Sequence, residues 1–319
     1  MGKRALVCMK HVGMNVCADA FINSAITGVH GGLVVLAADD PSMHSSQNEQ
    51  DSRFYAKFAL LPCLEPSNQQ EAYDMMAQAF ALSEQWHYPV LMRVTTRMAH
   101  SRAVVTLTSA PQAQNPMRPA SNPRHFVLLP AIAKQSYNEL IAAQSTFIRS
   151  SETAGNNRYQ KGSRPQKAVL TTGIAYNYLL ENMASPSCSV LKITQYPLPR
   201  NLISQMIADG AQEVLVIEEG QPVIEEFIKT LVPSSVKVYG RLTGALPRTG
   251  ELTPDAVRVA LGLPPLPSPE AESIVVARPP AMCQGCGHRD MYAALNEVLK
   301  EYEQPRVFGD IGCYTLGAL

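Results

Sequence analysis

The chain has 319 residues, of which 46% are hydrophobic, so it is long enough for two or three domains with buried cores. Basic and acidic residues number 27 each, and a net charge of zero gives no overall field that would attract nucleic acid or an anionic membrane surface. No apolar run approaches the length of a membrane span and no signal-peptide pattern opens the chain. We therefore expect a folded cytoplasmic protein that acts on a small molecule.

The first part of the chain alternates strand and helix patterns. Strands are expected at residues 31–38, 58–64 and 88–96, and residues 4–12 are expected to form a strand or a helix end. Helices are expected at residues 18–27, before Gly28, and from Ser67 or Asn68 to about Trp86. The continuous apolar run at residues 31–38 is typical of a parallel strand that is buried on both faces. This order predicts an α/β fold built on a parallel sheet with right-handed crossovers.

A long polar segment, residues 39–53, follows the strand predicted at residues 31–38. In doubly wound sheets, ligands bind at the carboxyl ends of the strands. Candidate binding residues in this segment are the acids and short polar side chains Asp39, Asp40, Ser45, Ser46, Gln47, Asn48 and Glu49. A solvated surface loop is the alternative, and the segment alone does not decide between the two.

A second α/β unit follows a polar loop at residues 109–122, a helix at residues 131–150 and a boundary near residues 155–165. Its strands are expected at residues 167–173, 189–194, 213–218 and 236–239, and its helices at residues 174–182, 202–209 and 222–231. The adjacent acids Glu218 and Glu219 could act as an acid and a base. We favour a structural role, in which Glu219 starts the next helix or pairs with an arginine across an interface. A proline-rich linker, residues 263–277, leads to a third unit.

Seven cysteines in a neutral chain of this size do not suggest a disulfide framework. Four of them lie among apolar neighbours and are expected to be small buried hydrophobic residues: Cys8, Cys17, Cys63 and Cys188. The other three, Cys283, Cys286 and Cys313, are candidate metal ligands because two lie one turn apart. A helix at residues 291–302 and a strand at residues 306–308 could return Cys313 to that pair.

Two kinds of metal centre fit these thiols. With His288 they could form a zinc site, and with a fourth cysteine they could hold a [4Fe–4S] cluster. Zinc would not explain the glycine-rich turn at residues 309–312, which suits a phosphate-bearing cofactor that passes close to the backbone.

Several long motifs together resemble the family of indolepyruvate ferredoxin oxidoreductase alpha subunits, which are thiamine diphosphate-dependent 2-oxoacid:ferredoxin oxidoreductases. The matching segments are residues 39–53, 64–74, 95–101, 278–289 and 309–317. The resemblance implies parallel-sheet domains of the transketolase-like type. By it, residues 1–155 are a pyrimidine-binding domain, residues 165–262 a transketolase-C-like domain and residues 278–319 the start of a diphosphate-binding domain.

The resemblance also implies a reaction, cofactors and partners. The family decarboxylates aryl pyruvates oxidatively with coenzyme A, in the amino-acid catabolism of anaerobes. Its cofactors are thiamine diphosphate, magnesium and [4Fe–4S] clusters, and its partners are ferredoxin and a smaller gamma-type subunit. Cys283, Cys286 and Cys313 match cluster ligands, and the segment 39–49 matches a loop that faces the cofactor. Residues that match a second cofactor loop are Gly309, Asp310, Gly312 and Tyr314.

Other elements of the family are not found in the chain. They are the magnesium-binding Gly-Asp-Gly with its Asn, the glutamate that activates the aminopyrimidine, a fourth cluster cysteine and a ferredoxin-like tail. We therefore expect the chain to lack both ends of the subunit and to be inactive alone, and its catalytic residue stays unknown. The alternatives are a non-redox thiamine diphosphate synthase or decarboxylase with a structural zinc, and a non-catalytic binding module.

Overall fold

The computed structural model describes residues 2–108, 113–267, 274–276, 281–309 and 312–318. The chain forms two compact units, Met1–Leu266 and Pro267–Leu319. Within the described residues, no helix is both long and apolar enough to cross a lipid bilayer.

The first unit contains a mostly parallel five-stranded sheet built mainly from the first third of the chain. Its strands are β1 (Ala5–Lys10), β2 (Leu33–Asp39), β3 (Cys63–Leu64), β4 (Val90–Thr95) and β8 (Gln195–Tyr196). Their order is β1-β2-β4-β3-β8, and β8 alone runs antiparallel, against β3. All six residues of β4 are buried, as the apolar pattern of a central parallel strand predicts.

A second five-stranded sheet in the same unit is formed by residues further along the chain. Its strands are β5 (Arg158–Gln160), β6 (Arg164–Thr172), β7 (Cys188–Ile193), β9 (Glu213–Ile217) and β10 (Lys237–Tyr239). Their order is β10-β9-β6-β7-β5, parallel except for β5. Strand β8 follows β7 of the second sheet in the chain but pairs with β3 of the first sheet, and so connects the two sheets.

Helices pack on both sheets of the first unit, and the second unit has a helix of its own. In the first unit they are α1 (His11–Val16), α2 (Ala18–Thr27), α3 (Arg53–Phe58), α4 (Gln69–Trp86), α5 (Thr96–His100), α6 (Pro130–Thr153), α7 (Ala175–Asn182), α8 (Arg200–Ala208), α9 (Val223–Ile228) and α10 (Pro254–Ala260). The second unit contains α11 (Gly287–Leu299) and a 3-10 turn at Thr315–Ala318. Helix α4 begins where the sequence predicts, because Asn68 accepts a hydrogen bond from the amide of Glu71 at 2.9 Å.

The strand predicted at residues 58–64 is largely wrong. Phe58 ends α3, Leu60 has a positive φ of 60°, and only Cys63–Leu64 pair as a strand. The apolar residues of this run pack on the core from a helix and a turn, and a short apolar run does not distinguish a strand from a buried helix.

Three predictions near the cysteines also need correction. Residues 306–308 form no strand, since a strand needs a neighbour and the described part of the second unit offers none. Helix α11 begins at Gly287 rather than at residue 291, with Cys286 as its N-cap. Of the four cysteines expected in the core, only Cys63 is fully buried; Cys8 is exposed because β1 is an edge strand.

Candidate functional site

Asp40 fixes the shape of the polar segment that follows β2. Its Oδ2 accepts hydrogen bonds from the amide of Ser45 at 2.9 Å and from Ser46 Oγ at 2.7 Å. Lys10 Nζ lies 3.3 Å from the same oxygen, and Thr96 Oγ1 donates to Oδ1 at 2.8 Å. Burial raises the pKa of Asp40, but these hydrogen bonds hold it well below its usual range. Asp40 is therefore an ionised anchor of the loop.

His11 holds the other end of this segment. It is fully buried, and its Nδ1 accepts a hydrogen bond from the amide of Asp40 at 3.2 Å. Because an amide can only donate, Nε2 carries the ring proton and donates to the backbone oxygen of Asn48 at 3.0 Å. No sequence pattern predicted this role, since the ring bonds only to backbone groups.

The backbone between these anchors is strained. Ser42 and Met43 have φ values of 71° and 54°, which non-glycine residues rarely adopt. The amide of Ser42 donates to Glu49 Oε2 at 3.0 Å, which helps to hold the turn. Met43, at the tip of the segment 39–49, is 49% exposed. Strain of this kind is retained where the surrounding structure determines it, often at ligand sites.

The segment 39–49 thus divides its predicted binding residues into three groups. Asp40, Ser45 and Ser46 form hydrogen bonds within the segment, and Glu49 binds its backbone. The side chain of Gln47 is exposed and bonds to none of the described residues. Asn48 accepts a hydrogen bond from Gln50 on its side-chain oxygen and one from His11 on its backbone oxygen. Asp39 is turned inward, away from the exposed tip, and is 1% exposed.

Asp39 belongs to a buried ion network centred on Arg93. Arg93 Nε donates to Asp39 Oδ2 at 2.6 Å, and its other nitrogens bind Glu65 and Asp51. Burial raises the pKa of Asp39 and the charge of Asp51 adds to the rise, while Arg93 opposes it. Burial also raises the pKa of Asp51, but Arg53 and Arg93 together lower it to about 2. Asp51 is therefore the firmly ionised member of the network.

The network continues into the second sheet through Arg53. This guanidinium binds Asp51 and donates from Nη1 to Glu218 Oε2 at 2.8 Å. Glu65, at the end of β3, accepts from Thr172 Oγ1 at the end of β6 at 2.8 Å. The carboxyl ends of the two sheets are thus joined by fully buried charged side chains. Removing one of them would destabilise the fold, because its partner would be left as an unpaired buried charge.

Glu218 and Glu219 both have structural roles: of the two roles predicted for Glu219, it pairs with an arginine, and Glu218 rather than Glu219 starts the next helix. Glu218 receives the amides of Ile224 and Glu225 and so starts α9. Glu219 Oε1 accepts from the amide of Leu252 at 2.9 Å and lies 3.7 Å from Arg241 Nη2. Burial raises the pKa of Glu219 to about 7 despite these partners.

In the second unit, Cys283 and Cys286 lie on a turn that leads into α11. The amide of Cys286 donates to the backbone oxygen of Cys283 at 3.4 Å, and Gly285 between them has a φ of 71°. Cys286 Sγ lies 3.3 Å from His288 Nδ1. Cys286 is the N-cap of α11.

The segment that carries Cys313 lies against the start of α11. The Tyr314 ring meets the His288 ring edge-on, with centroids 5.0 Å apart, and Tyr292 donates to the backbone oxygen of Tyr314 at 2.7 Å. Cys283 and Cys313 are exposed, as are Gly309 and Gly312. The described residues contain no group of three acids, histidines or cysteines that could hold a metal ion. Asp310 lies outside the described residues.

We compared the chain with known protein families, curated proteins and solved structures. No family model matches it. It is 41% identical over 331 residues to the indolepyruvate oxidoreductase subunit IorA of Methanothermobacter thermautotrophicus, an alignment that covers 99% of this chain and 53% of the relative. The same subunit of Pyrococcus abyssi is 37% identical, with 100% of this chain and 52% of the relative covered.

Along almost its whole length, the chain is similar to these IorA subunits. The resemblance found in the sequence is thereby confirmed. The chain spans about half the length of the curated IorA relatives it matches.

A solved structure confirms the predicted fold class of this IorA relative. The 2-oxoglutarate:ferredoxin oxidoreductase of Magnetococcus marinus, solved with 2-oxoglutarate, coenzyme A and succinyl-CoA bound, superposes with a TM-score of 0.55. The match covers 74% of this chain and 49% of that chain at 12% identity, so it concerns the fold alone.

Proposed function

We propose that this chain is part of the large subunit of an oxidoreductase that decarboxylates aryl pyruvates, such as indolepyruvate, with coenzyme A and ferredoxin. The observation that carries the proposal is the 41% identity to an IorA subunit along 99% of the chain. The family name of those relatives implies a smaller partner subunit. We assign residues 1–155 to pyrimidine binding, residues 165–262 to a transketolase-C-like domain and residues 278–319 to diphosphate binding.

The segment 39–49 fits the aminopyrimidine of thiamine diphosphate better than its diphosphate. Its acids repel a phosphate, and the nearby cation Lys10 already binds Asp40 and Ser45. The side chains left at the tip, Met43, Gln47 and Asn48, are uncharged and exposed. Amide groups can exchange hydrogen bonds with the ring nitrogens of a pyrimidine, and a thioether packs well on an aromatic face.

Bound thiamine diphosphate would supply the carbanion chemistry, and the protein residues position it. Asp40 and His11 hold the loop in one conformation, so its tip loses little entropy on contact with the cofactor. Asp39 and Arg93 set the base of the loop in a dry environment. Burial raises the pKa of Glu219, which lies beside this network, to about 7, so this carboxyl can hold a proton near neutral pH.

The cysteines fit a metal centre only in part. Cys283 and Cys286 have the spacing of a ligand pair at the start of α11, and Cys313 adjoins Tyr314, whose ring contacts His288. The three thiols do not form a ligand group within the described residues. We therefore propose them as cluster ligands on the strength of the sequence resemblance alone.

Metal and cofactor analysis tests the proposal. The protein is purified anaerobically from its source cells with antibodies against this chain, and its iron, acid-labile sulfide, zinc and thiamine diphosphate are measured. We expect iron, sulfide and thiamine diphosphate to co-purify with the chain. Zinc and thiamine diphosphate without iron would instead support the non-redox synthase or decarboxylase. Absence of thiamine diphosphate would contradict both enzymes and leave the binding module.

A further inference from the structure

A cavity of about 220 Å³ lies in the first unit between α3, α6 and α9. Its walls are mainly apolar and include Leu60, Ile148, Leu198, Phe227 and Leu231. An apolar cavity of about 150 Å³ is large enough to bind benzene. This cavity can therefore hold one aromatic ring system with a short side chain.

The inner end of the cavity offers a ligand no free hydrogen-bond donor. Arg53 lines it, but each nitrogen of its guanidinium already donates to Asp51, Glu218 or a backbone oxygen. Tyr196 also lines it, and its hydroxyl donates to Glu65 at 2.7 Å. Because these polar groups already have partners, the inner end favours apolar atoms of a ligand.

Two further polar side chains of the cavity wall also have their hydrogen-bond donors engaged by protein groups. Gln144 Nε2 donates to the backbone oxygens of Leu60 and Leu140 at 2.9 and 3.1 Å. Thr230 Oγ1 donates to the backbone oxygen of Phe227 at 2.8 Å. Neither side chain has a donor left to offer a ligand.

The exposed rim of the cavity carries two cations with no carboxylate in ion-pair contact. Arg200 makes no hydrogen bond or ion pair with any described residue, although it lines the cavity. Lys57 Nζ lies 3.1 Å from the centroid of the Phe227 ring. Partial burial lowers the pKa of Lys57, while the charge of Glu226 raises it without an ion pair. An anion at this rim would meet two unpaired positive charges.

We propose that this cavity binds an aryl-alkyl carboxylate, with its ring between the apolar walls and its carboxylate at Lys57 and Arg200. The Phe227 and Tyr196 rings favour an aromatic body over an aliphatic one because they allow edge-to-face packing. The cavity is built only from residues of the first unit, so binding needs neither the proposed enzyme activity nor its cofactors. A failure of one proposal therefore leaves the other standing.

Isothermal titration of the 319-residue chain tests the site. With indole-3-acetate as the probe, we expect a Kd on the order of 0.1 to 1 mM, as suits so small a ligand. Indole-3-acetamide, which lacks the charge, should bind at least about tenfold more weakly, and hexanoate, which lacks the ring, about fivefold more weakly. Inorganic phosphate, which has charge without an apolar body, should show no measurable heat.

Variants locate the binding. Lys57→Gln and Arg200→Gln should each weaken indole-3-acetate binding by about three- to tenfold. Thr230→Trp, at an exposed position of the wall, should fill the rim and abolish binding without disturbing the core. Lys134→Gln, an exposed change on α6 that does not line the cavity, is the matched control and should bind like the parent.

Thermal melting of each variant shows whether it is folded. The proposal is overturned if the parent chain shows no heat with indole-3-acetate, or if the acid and its amide bind equally. Parent-like binding by the folded Lys57→Gln and Arg200→Gln variants, or by folded Thr230→Trp, would equally exclude this cavity.

Discussion

Arg53 and Glu218 are 165 positions apart in the sequence, yet Arg53 Nη1 lies 2.8 Å from Glu218 Oε2 in a site that excludes water. Arg53 begins α3 beside the first sheet, and Glu218 follows β9 of the second. Their contact is thus the point where the carboxyl ends of the two sheets are held together. The polar segment 39–49 is built on the same network through Asp39.

Arg53→Met should destabilise the first unit strongly. The change leaves Asp51 and Glu218 buried without their main cation, and breaking a buried ion pair on one side costs about 3 to 5 kcal/mol. Urea denaturation followed by circular dichroism measures the loss. Arg97→Met is the matched control, since Arg97 binds Glu251 in a pair that is partly exposed. Its loss should be about 1 kcal/mol or less. Equal losses in both variants would contradict the role assigned to Arg53.

Gly220→Ala should disrupt the same network by steric contact. A Cβ at Gly220 would lie 2.8 Å from both Arg93 Nη2 and Asp51 Oδ2, and neither group can move without losing a buried partner. Gly244→Ala is the control, because its φ of 77° is also positive but nothing lies within 4 Å of the new Cβ. Left-handed strain alone costs about 1 to 2 kcal/mol, so Gly220→Ala should lose about 2 kcal/mol more than Gly244→Ala. Similar losses would show that Arg93 and Asp51 have room to move.

Glu219 should make the unfolding free energy depend on pH. Its pKa is raised by burial from 4.5 to about 7 in the folded chain, so the folded state binds its proton more tightly than the unfolded state. This stabilisation is complete below pH 4.5 and is lost as the pH rises through 7. Since one pH unit corresponds to about 1.4 kcal/mol, the contribution is on the order of 3 kcal/mol.

Glu219→Gln isolates this effect. The variant stays neutral at every pH, so its stability relative to the parent should rise between pH 4.5 and 7. Glu181→Gln, an exposed change at the end of α7, should leave the parent profile unaltered. Parallel profiles for the parent and Glu219→Gln over this range would disprove the assignment.

Asp40→Asn should loosen the polar segment without unfolding the unit. An amide retains one acceptor oxygen but loses the charge that gathers Ser45, Ser46 and Lys10. Because its pKa is below the usual range, Asp40 stabilises the loop above pH 3.8 and this is lost as the pH falls through the folded-state pKa. Amide hydrogen exchange of residues 41–49 at pH 7 should become faster by about tenfold or more. Unchanged exchange in a folded variant would mean that Asp40 does not hold the loop.

Local signals in the sequence predicted much of the fold. Gly28, with a φ of 63°, ends α2 as expected, and Asn68 caps α4. The buried pattern of β2 and β4 placed the polar segment at the carboxyl end of a parallel sheet, where it lies. Such features depend on neighbours in sequence, so a single sequence carries them.

The charge network could not be predicted in this way. Arg93 lies inside an otherwise apolar strand, and Glu65 precedes a proline at the start of α4. Their pairing depends on the packing of two sheets from distant parts of the chain, and no local pattern specifies it. The hydrogen bonds that join Asp40 to Ser45 and Ser46 were not predicted either, because a run of polar residues does not show which of them bond to one another. Short polar side chains predicted a binding loop, but most of them serve to shape it.

Substrate-dependent dye reduction tests the central claim most directly. The protein is purified anaerobically from its source cells with its bound partners, and reduction of methyl viologen is followed with coenzyme A and a series of 2-oxoacids. We predict reduction with indolepyruvate that requires coenzyme A and exceeds the rates with pyruvate and 2-oxoglutarate by about tenfold or more, and none with the chain alone. No coenzyme A-dependent reduction with any aryl pyruvate, in protein that contains iron and thiamine diphosphate, would contradict the proposed function.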